Sequence, residues 1–142
     1  MIRAKKEGRT PSLRVDDVWV IPCNPKKYDI VGAFSEFDTI EWSQNNVTSV
    51  GDTVYIYVGE KYKSIMYKCE AVAVDLYGNR SDEDEKYYKE LTKKPDIRYM
   101  KLKLIDKYEP GTFPLDELRE NGLKNVQGRS KATQQLLKYL NK

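Results

Sequence analysis

A tryptophan followed by two hydrogen-bonding side chains, Trp42-Ser43-Gln44, is the segment of this chain best suited to contact a planar ligand. An indole ring can stack on a planar group, while a hydroxyl and an amide beside it form hydrogen bonds with the edge of that group. An ordinary buried tryptophan at the end of a strand is the alternative. The segment alone does not separate the two.

A second cluster, Pro22-Cys23-Asn24-Pro25 with Tyr28, lies at the end of a predicted strand. The two prolines restrict the backbone of this loop, and Asn24 carries both a donor and an acceptor. The cluster therefore has the groups needed to contact a ligand from a fixed loop. A turn that only leads into a helix would use the same residues.

Tyrosine accounts for eleven of the sixteen aromatic residues, which is an uneven choice. Tyrosine is better suited to a partly solvated surface, on which a base can stack, than to a dry core. Tyr55 and Tyr57 are expected to share one strand face, with Tyr62 and Tyr67 nearby. Tyrosines at the edge of a core, with solvated hydroxyls, are the alternative.

The loop 126–130 is predicted to lead into the last helix, with Ser130 as its N-cap. Gly128 would let the backbone approach a ligand closely, and a helix N-terminus attracts phosphate. Arg129 would add a planar fork of donors. The predicted contacts to a phosphate backbone are Gln127, Gly128, Arg129 and Lys131. A plain loop before a helix is the alternative.

The chain contains no histidine, which excludes nucleophilic pairs of serine or cysteine with histidine and zinc sites that use histidine. Cys23 and Cys69 form no CxxC pair and are predicted to be buried free thiols. An enzyme would need carboxylates and a lysine in one pocket. Asp52, Glu70 and Lys68 are the candidates, although Asp52 is explained more simply by a turn. We expect a non-catalytic protein without a metal or another cofactor.

Positive charge is concentrated at the two ends of the chain. Residues 1–14 carry five basic residues and one acidic residue, and residues 123–142 carry five basic residues and no acidic one. The segment between them is acidic overall. Two basic ends suit a polyanionic partner if they converge in space, whereas solvated, lysine-rich ends of an ordinary domain are the alternative.

The length of 142 residues is that of one domain, and a chain that is 39% hydrophobic and 33% charged is typical of globular proteins. No apolar run approaches the roughly 20 residues that span a bilayer. We expect no membrane contact and a cytoplasmic location. Residues 1–16 are predicted to form a flexible basic arm or linker, and residues 17–142 a single domain.

The elements that would position these residues follow from hydrophobic periodicity. Strands are predicted at 18–21, 39–42, 53–58, 65–75 and 97–108, with the third and fourth paired as a hairpin. Helices are predicted at 28–37, 82–92, 114–121 and from Ser130 onwards. This order predicts a mixed α+β fold, with a small curled sheet or barrel and helices packed around it.

Four segments, taken in order, resemble the EVE domain family of the PUA-like superfamily, which also contains ASCH and YTH domains. The segments are Trp19 to Tyr28, Ile40 to Gln44, Val50 to Tyr57, and the loop Val126-Gln127-Gly128. The resemblance spans about residues 17–142. It implies a PUA-like curled mixed sheet or small β-barrel, with a pocket that takes a single base, often a methylated or hydroxymethylated one.

The resemblance also implies which residues form that pocket: Asn24, Tyr28, Trp42, Ser43, Gln44, Tyr57 and Tyr62. YTH domains place a Trp-Ser pair in their cage for methylated adenine, and Trp42-Ser43 matches it. The later tryptophan of that cage has no counterpart here, so Tyr57 or Tyr62 would form one wall.

The implied partner is nucleic acid, with DNA favoured over RNA. Because EVE domains occur alone or fused to modification-dependent restriction enzymes, a nuclease or NTPase domain is a further candidate partner. The alternatives are an RNA-binding PUA-like module, an ASCH-like hydrolase and a protein-interaction module. The oligomeric state is not indicated.

Overall fold

A computed structural model of the protein describes residues 17–44, 47–77, 83–89 and 98–141. The strands are β1 (Val18–Cys23), β2 (Thr39–Ser43), β3 (Thr53–Val58), β4 (Ser64–Leu76), β5 (Tyr99–Lys107) and β6 (Ser130–Lys131). The helices are α1 (Ile30–Glu36), α2 (Leu115–Glu120) and α3 (Gln134–Leu140), and a short 3-10 helix covers Glu85–Tyr87. The arm predicted for residues 1–16 lies outside the described residues.

The strands form one mixed sheet in the order β2-β5-β4-β3-β1-β6. β1 and β3 run parallel, whereas the other neighbouring strands are antiparallel. The predicted hairpin of β3 and β4 is confirmed, and β5 continues it as a meander. Irregular pairing interrupts β4 along both of its neighbours, and such bulges bend a strand and increase its twist. The predicted α+β fold with a curled sheet is therefore confirmed.

Alternation along the strands divides the buried side chains between the two faces of the sheet. One face carries Val54, Ile56 and Val58 of β3 together with α1, and we call this the first core. The opposite face carries Tyr55 and Tyr57 together with α2 and α3, and we call this the second core. Tyr55 is 2% exposed and Tyr57 is 5% exposed. These tyrosines therefore fill a dry core, and the prediction that they form a half-wet stacking surface is wrong.

The polar helix predicted for residues 82–92 is absent from residues 83–89, the described part of that segment. In its place are the 3-10 helix and an isolated β-bridge between Tyr28 and Tyr88. The acidic residues suggested the first turn of a helix, but Asp84 is buried and accepts a hydrogen bond from the Tyr28 hydroxyl. Contacts distant in sequence thus override the local helix signal.

The last helix begins later than predicted. Thr133 caps α3 by accepting a hydrogen bond from the Leu136 amide at 3.1 Å. Ser130 lies in β6 opposite Val20, where strand pairing satisfies its backbone. The loop at Gly128 therefore leads into an edge strand, and the attraction of a helix N-terminus for phosphate does not apply to it. No helix among the described residues has the length and apolarity that crossing a bilayer requires.

Candidate functional site

A pocket of about 230 Å³ lies where β1 and β2 end. Its lining residues are Pro22, Cys23, Asn24, Lys27, Tyr28, Glu41, Trp42, Ser43 and Tyr88. We call it the Trp42 pocket. It is smaller than the roughly 300–1,000 Å³ of sites for drug-sized ligands, so it suits a single planar ring system.

The curling of the sheet creates this pocket. β1 and β2 are separated by three strands in the sheet order, yet the rings of Tyr28 and Trp42 lie 5.9 Å apart. Four residues predicted to share a base pocket, Asn24, Tyr28, Trp42 and Ser43, do line one pocket.

Three aromatic rings form the walls and hold one another in place. Tyr28 meets Trp42 edge to face at an interplanar angle of 88°, and it meets Tyr88 at 4.8 Å and 61°. Such edge-to-face pairs are favoured by the charge distribution of aromatic rings. Tyr28 is buried between the other two, which are only partly buried. A ligand can therefore reach the rings of Trp42 and Tyr88.

The hydroxyl of Tyr28 is engaged by the protein. It donates to Asp84 Oδ2 at 2.8 Å. Burial, and then the negative charge of Asp84, raise the pKa of Tyr28 far above its usual range, so the phenol stays protonated. Asp84 is thus a positioning residue for the Tyr28 ring. The Lys89 amide donates a hydrogen bond to the Lys27 carbonyl at 2.9 Å, which holds the segment 84–89 beside the pocket.

Asn24 fixes the loop on the opposite side of the pocket. Its side-chain oxygen accepts from the Lys26 amide at 2.9 Å, and its carbonyl accepts from the amides of Lys27 and Tyr28. The turn proposed as the alternative to a ligand contact is therefore present. Because Asn24 is exposed and lines the pocket, it forms this turn and the rim of the pocket together.

The other predicted base contacts lie elsewhere. Gln44 is buried; its amide nitrogen donates to Asp75 Oδ1 at 3.1 Å, and its oxygen accepts from the Asp75 amide at 2.7 Å. These bonds connect the end of β2 to β4. Tyr57 belongs to the second core on the opposite face of the sheet. Tyr62 lines a neighbouring pocket.

Sequence reasoning missed Lys27, Glu41 and Tyr88 as lining residues. Lys27 and Glu41 flank predicted site residues, so a wider window would have included them. Tyr88 fell within the segment expected to be a polar surface helix. The one available signal was its position beside Tyr87, since two adjacent aromatic residues are unusual on a solvated face.

The three candidate groups for a hydrolase do not share a pocket. Lys68 lies opposite Tyr55, with its ammonium 5.9 Å from that ring, on the side of the second core. Glu70 lies two residues further along β4, opposite Thr53. Asp52 is fully buried and accepts a hydrogen bond from the indole of Trp19, which packs on the first core. Among the described residues, no three cysteine or acidic side chains are placed to hold a metal ion.

Both cysteines are buried free thiols, as predicted. Burial, with a contribution from the charge of Asp29, raises the pKa of Cys23 to about 12, and burial raises the pKa of Cys69 to about 12. Only the thiolate is nucleophilic. Cys23 therefore contributes an apolar wall to the Trp42 pocket at neutral pH.

These thiols make stability depend on pH. In the unfolded chain they ionise near pH 9.0, whereas in the folded chain they keep their protons to about pH 12. The folded state binds more protons in this window. The contribution of the two thiols to stability is therefore fully present below pH 9.0 and is lost as the pH rises above it. We expect the free energy of unfolding to decrease by up to about 1.4 kcal/mol per pH unit for each thiol, measured by urea denaturation.

The matched control is the double variant Cys23→Ala, Cys69→Ala. Its free energy of unfolding should decline less steeply between pH 9 and pH 11 than that of the parent chain. Tyrosines with raised pKa values titrate in both proteins and cancel in the comparison. Equal slopes for the two proteins would contradict the assignment to the thiols.

The predicted phosphate-binding loop lies at the sheet edge. The Arg129 guanidinium lies 5.7 Å from the Trp19 ring, and the Lys131 ammonium lies 3.1 Å from Asp17 Oδ1. Lys131 is opposite Trp19, four residues before Cys23, so it lies about 13 Å from the pocket along β1. The side chains of Arg129 and Lys131 therefore lie beside β1 and do not line the Trp42 pocket.

Local packing explains two further residues of that loop. The Gln127 amide donates to Asn125 Oδ1 at 2.9 Å. A Cβ atom at Gly128 would lie 3.1 Å from the side-chain nitrogen Nδ2 of Asn125. The glycine thus makes room for a neighbouring side chain.

Solved structures with this fold include proteins from bacteria, a protozoan and human. ASCH from Zymomonas mobilis has a TM-score of 0.58 at 16% identity, covering 87% of this chain and 93% of that one. A protein from Leishmania major has a TM-score of 0.59 at 15% identity, covering 89% and 93%. Human THYN1, solved in complex with DNA containing 5-methylcytosine, has a TM-score of 0.60 at 12% identity, covering 88% and 95%.

At such identities the likeness establishes the fold alone, and it confirms the predicted PUA-like α+β fold. No family model and no curated protein matches the sequence.

Proposed function

We propose that this chain is a non-catalytic nucleic-acid-binding domain that accommodates one flipped, modified base in the Trp42 pocket. The observation that carries the proposal is the convergence of Trp42, Tyr28 and Ser43 with Asn24 in one pocket of single-ring size. Lys27 adds a positive charge at the rim. The likeness to human THYN1, solved with DNA containing 5-methylcytosine, supports nucleic acid as the partner and favours DNA.

The energetics suit a base that has left its stack. Flipping costs a few kcal/mol of unstacking, and stacking on an aromatic ring returns about 1–3 kcal/mol. Ser43 and Asn24 lie where they can form hydrogen bonds with the edge of a bound base. A base with the wrong edge would leave buried polar groups without partners, at about 1–3 kcal/mol each.

A methyl or hydroxymethyl substituent would contact the apolar part of the lining, which includes Pro22, Cys23 and the aromatic rings. The order of the four matching segments supports assignment to the EVE family. With it comes the proposal that the chain serves as the targeting module of a modification-dependent restriction system, beside a nuclease or NTPase domain.

The absence of catalysis is part of the same proposal. The sequence offers no histidine, and the thiol of Cys23 remains protonated at neutral pH. The dispersal of Asp52, Glu70 and Lys68 supports it further, because general acid–base chemistry needs its groups within hydrogen-bonding reach of one substrate.

The test is fluorescence anisotropy with matched short DNA and RNA oligonucleotides. Each carries unmodified bases, methylated or hydroxymethylated cytosine, or methylated adenine at one position. A preference for one modification is expected, with DNA bound more tightly than RNA. Preference for RNA would favour the RNA-binding module, and equal or absent binding at low salt would rule out the base-pocket proposal.

The salt dependence of binding should locate the phosphate contacts. Replacing Lys27 or Lys89 with glutamine is expected to reduce the slope of log K against log salt concentration by about 0.7–0.9 per lost contact, because each contact releases counterions. Lys103→Gln, an exposed lysine on β5, is the matched control and should leave the slope unchanged.

Arg129→Gln extends the same titration to the loop 127–131. A reduced slope for this variant would confirm the predicted phosphate contact there. An unchanged slope would restrict the contacts to Lys27 and Lys89. If Lys27→Gln and Lys89→Gln behave like Lys103→Gln, neither lysine binds phosphate.

A further inference from the structure

A second pocket, of about 300 Å³, lies beside the Trp42 pocket on the other side of the loop 24–28. Its lining residues are Pro25, Lys26, Asp29, Val31, Glu60, Lys61, Tyr62 and Lys89. We call it the Tyr62 pocket. Tyr62 is partly buried against the first core, which holds its ring in position, and the exposed Lys61 places its ammonium 5.3 Å from the centroid of that ring.

Two stretches of backbone supply successive residues to both pockets. Asn24 lines the Trp42 pocket and Pro25 the Tyr62 pocket, and Tyr88 and Lys89 are divided in the same way. Neighbouring Cα atoms in a chain are only about 3.8 Å apart. The two pockets are therefore separated by little more than one strand of backbone.

Hydrogen bonds make that dividing backbone rigid. The amide of Lys27 donates to the Asn24 carbonyl at 2.9 Å, and the Gly59 amide donates to the Cys23 carbonyl at 3.1 Å. The Tyr62 amide in turn donates to the Gly59 carbonyl at 3.2 Å. The turn that carries Tyr62 is thus tied to the end of β1, and the distance between the pockets is set by the fold.

The charges around the Tyr62 pocket favour an anion. Lys26, Lys61 and Lys89 line it and are exposed, and Lys27 stands on the adjacent rim. Each of its two carboxylates has a partner within the protein. Asp29 Oδ1 accepts from the Gly32 amide at 3.0 Å, and Glu60 lies 3.1 Å from the ammonium of Lys26. Lys27 lines the Trp42 pocket and Lys89 lines the Tyr62 pocket, so the two cations belong to opposite sides of the dividing backbone.

We propose that the Tyr62 pocket takes the nucleotide adjacent to the flipped base, with its base stacked on Tyr62 and the linking phosphate between Lys27 and Lys89. This inference rests on the proposed function of the Trp42 pocket. It identifies the ligand as two consecutive unstacked nucleotides. Because a duplex would have to give up two base pairs to fill both pockets, single-stranded or locally unpaired nucleic acid binds in preference to duplex.

The test combines Tyr62 variants with abasic sites. Binding of a single-stranded oligonucleotide with one modified base is compared with that of two versions lacking the base immediately 5′ or 3′ to it. In the parent chain one of these abasic sites is expected to weaken binding roughly 5- to 150-fold, the range for one stacked base. Tyr62→Leu, which keeps the packing on the first core, should weaken binding similarly and make that abasic site inconsequential. Tyr62→Phe keeps the ring and should bind like the parent.

The outcomes separate the two pockets. If Trp42→Ala loses binding while Tyr62→Leu binds within twofold of the parent, the Trp42 pocket stands and the Tyr62 pocket is overturned. If each abasic site weakens binding to Tyr62→Leu by the same factor as it weakens binding to the parent, Tyr62 does not hold the second base. Duplex bound as tightly as single strand also overturns the inference. Absence of any nucleic-acid binding overturns both proposals.

Discussion

Trp42→Ala is expected to remove the preference for a modified base and to weaken binding of its oligonucleotide by about 1–3 kcal/mol, or roughly 5- to 150-fold in Kd. Trp42 is the largest ring that a ligand can reach in its pocket, and Tyr28 holds it edge to face. Removing the indole removes the stacking surface that offsets the cost of flipping. Anisotropy titrations at fixed salt measure both the affinity and the preference.

Two control variants make this result specific. Trp42→Phe keeps an aromatic face and should retain the preference with a smaller loss of affinity. Tyr77→Ala removes a tyrosine that is 73% exposed outside the pocket, and it should leave binding unchanged. An equal loss of affinity for modified and unmodified oligonucleotides in Trp42→Ala would show that the pocket does not discriminate between bases.

A third variant addresses how the pocket is supported. Asp84 acts through Tyr28, so Asp84→Asn changes the partner of the Tyr28 hydroxyl without removing any ring from the pocket. The geometry of the site thus depends on a residue that lies 56 positions from Tyr28 in the sequence. No local pattern could reveal that dependence.

The strands were predictable because their signal is local. Alternation over 53–58 is confirmed with the same bounds in β3, and the hairpin with β4 follows from a short turn between two such runs. Alternation also placed Tyr55 and Tyr57 on one face correctly. It could not show that this face is dry, because α2 and α3 cover it, and their packing is not encoded within β3.

The candidate site was predictable in part. The resemblance brought Asn24, Tyr28 and Trp42 together, whereas periodicity alone gives no reason for β1 and β2 to meet. They approach because the sheet curls, which depends on irregular pairing along β4. The resemblance also assigns Gln44 to the pocket, but Gln44 lies just past the end of β2, where its side chain forms two hydrogen bonds with Asp75 of β4. The resemblance assigns Tyr62 to the base pocket, whereas the structure places it in the neighbouring Tyr62 pocket.

Asp52→Ala is expected to lower the free energy of unfolding by about 3–5 kcal/mol. Asp52 is fully buried and accepts three hydrogen bonds, from the Trp19 indole at 3.0 Å, the Ser49 amide at 2.9 Å and the Asp17 amide at 3.2 Å. Truncation removes the carboxylate that these three partly buried donors share. Urea denaturation measures the loss.

The same residue distinguishes a structural role from a catalytic one, since Asp52 was a candidate for the hydrolase alternative. Asp52→Asn keeps the size of the side chain and one acceptor, so its cost should be smaller, whereas Asp106→Ala, an exposed aspartate on β5, should change stability by less than about 0.5 kcal/mol. Where Asp52→Asn remains folded, it should bind oligonucleotides like the parent, because Asp52 lines neither the Trp42 nor the Tyr62 pocket. Unchanged stability in Asp52→Ala would contradict the structural role, because the loss of three hydrogen bonds to a buried carboxylate lowers stability.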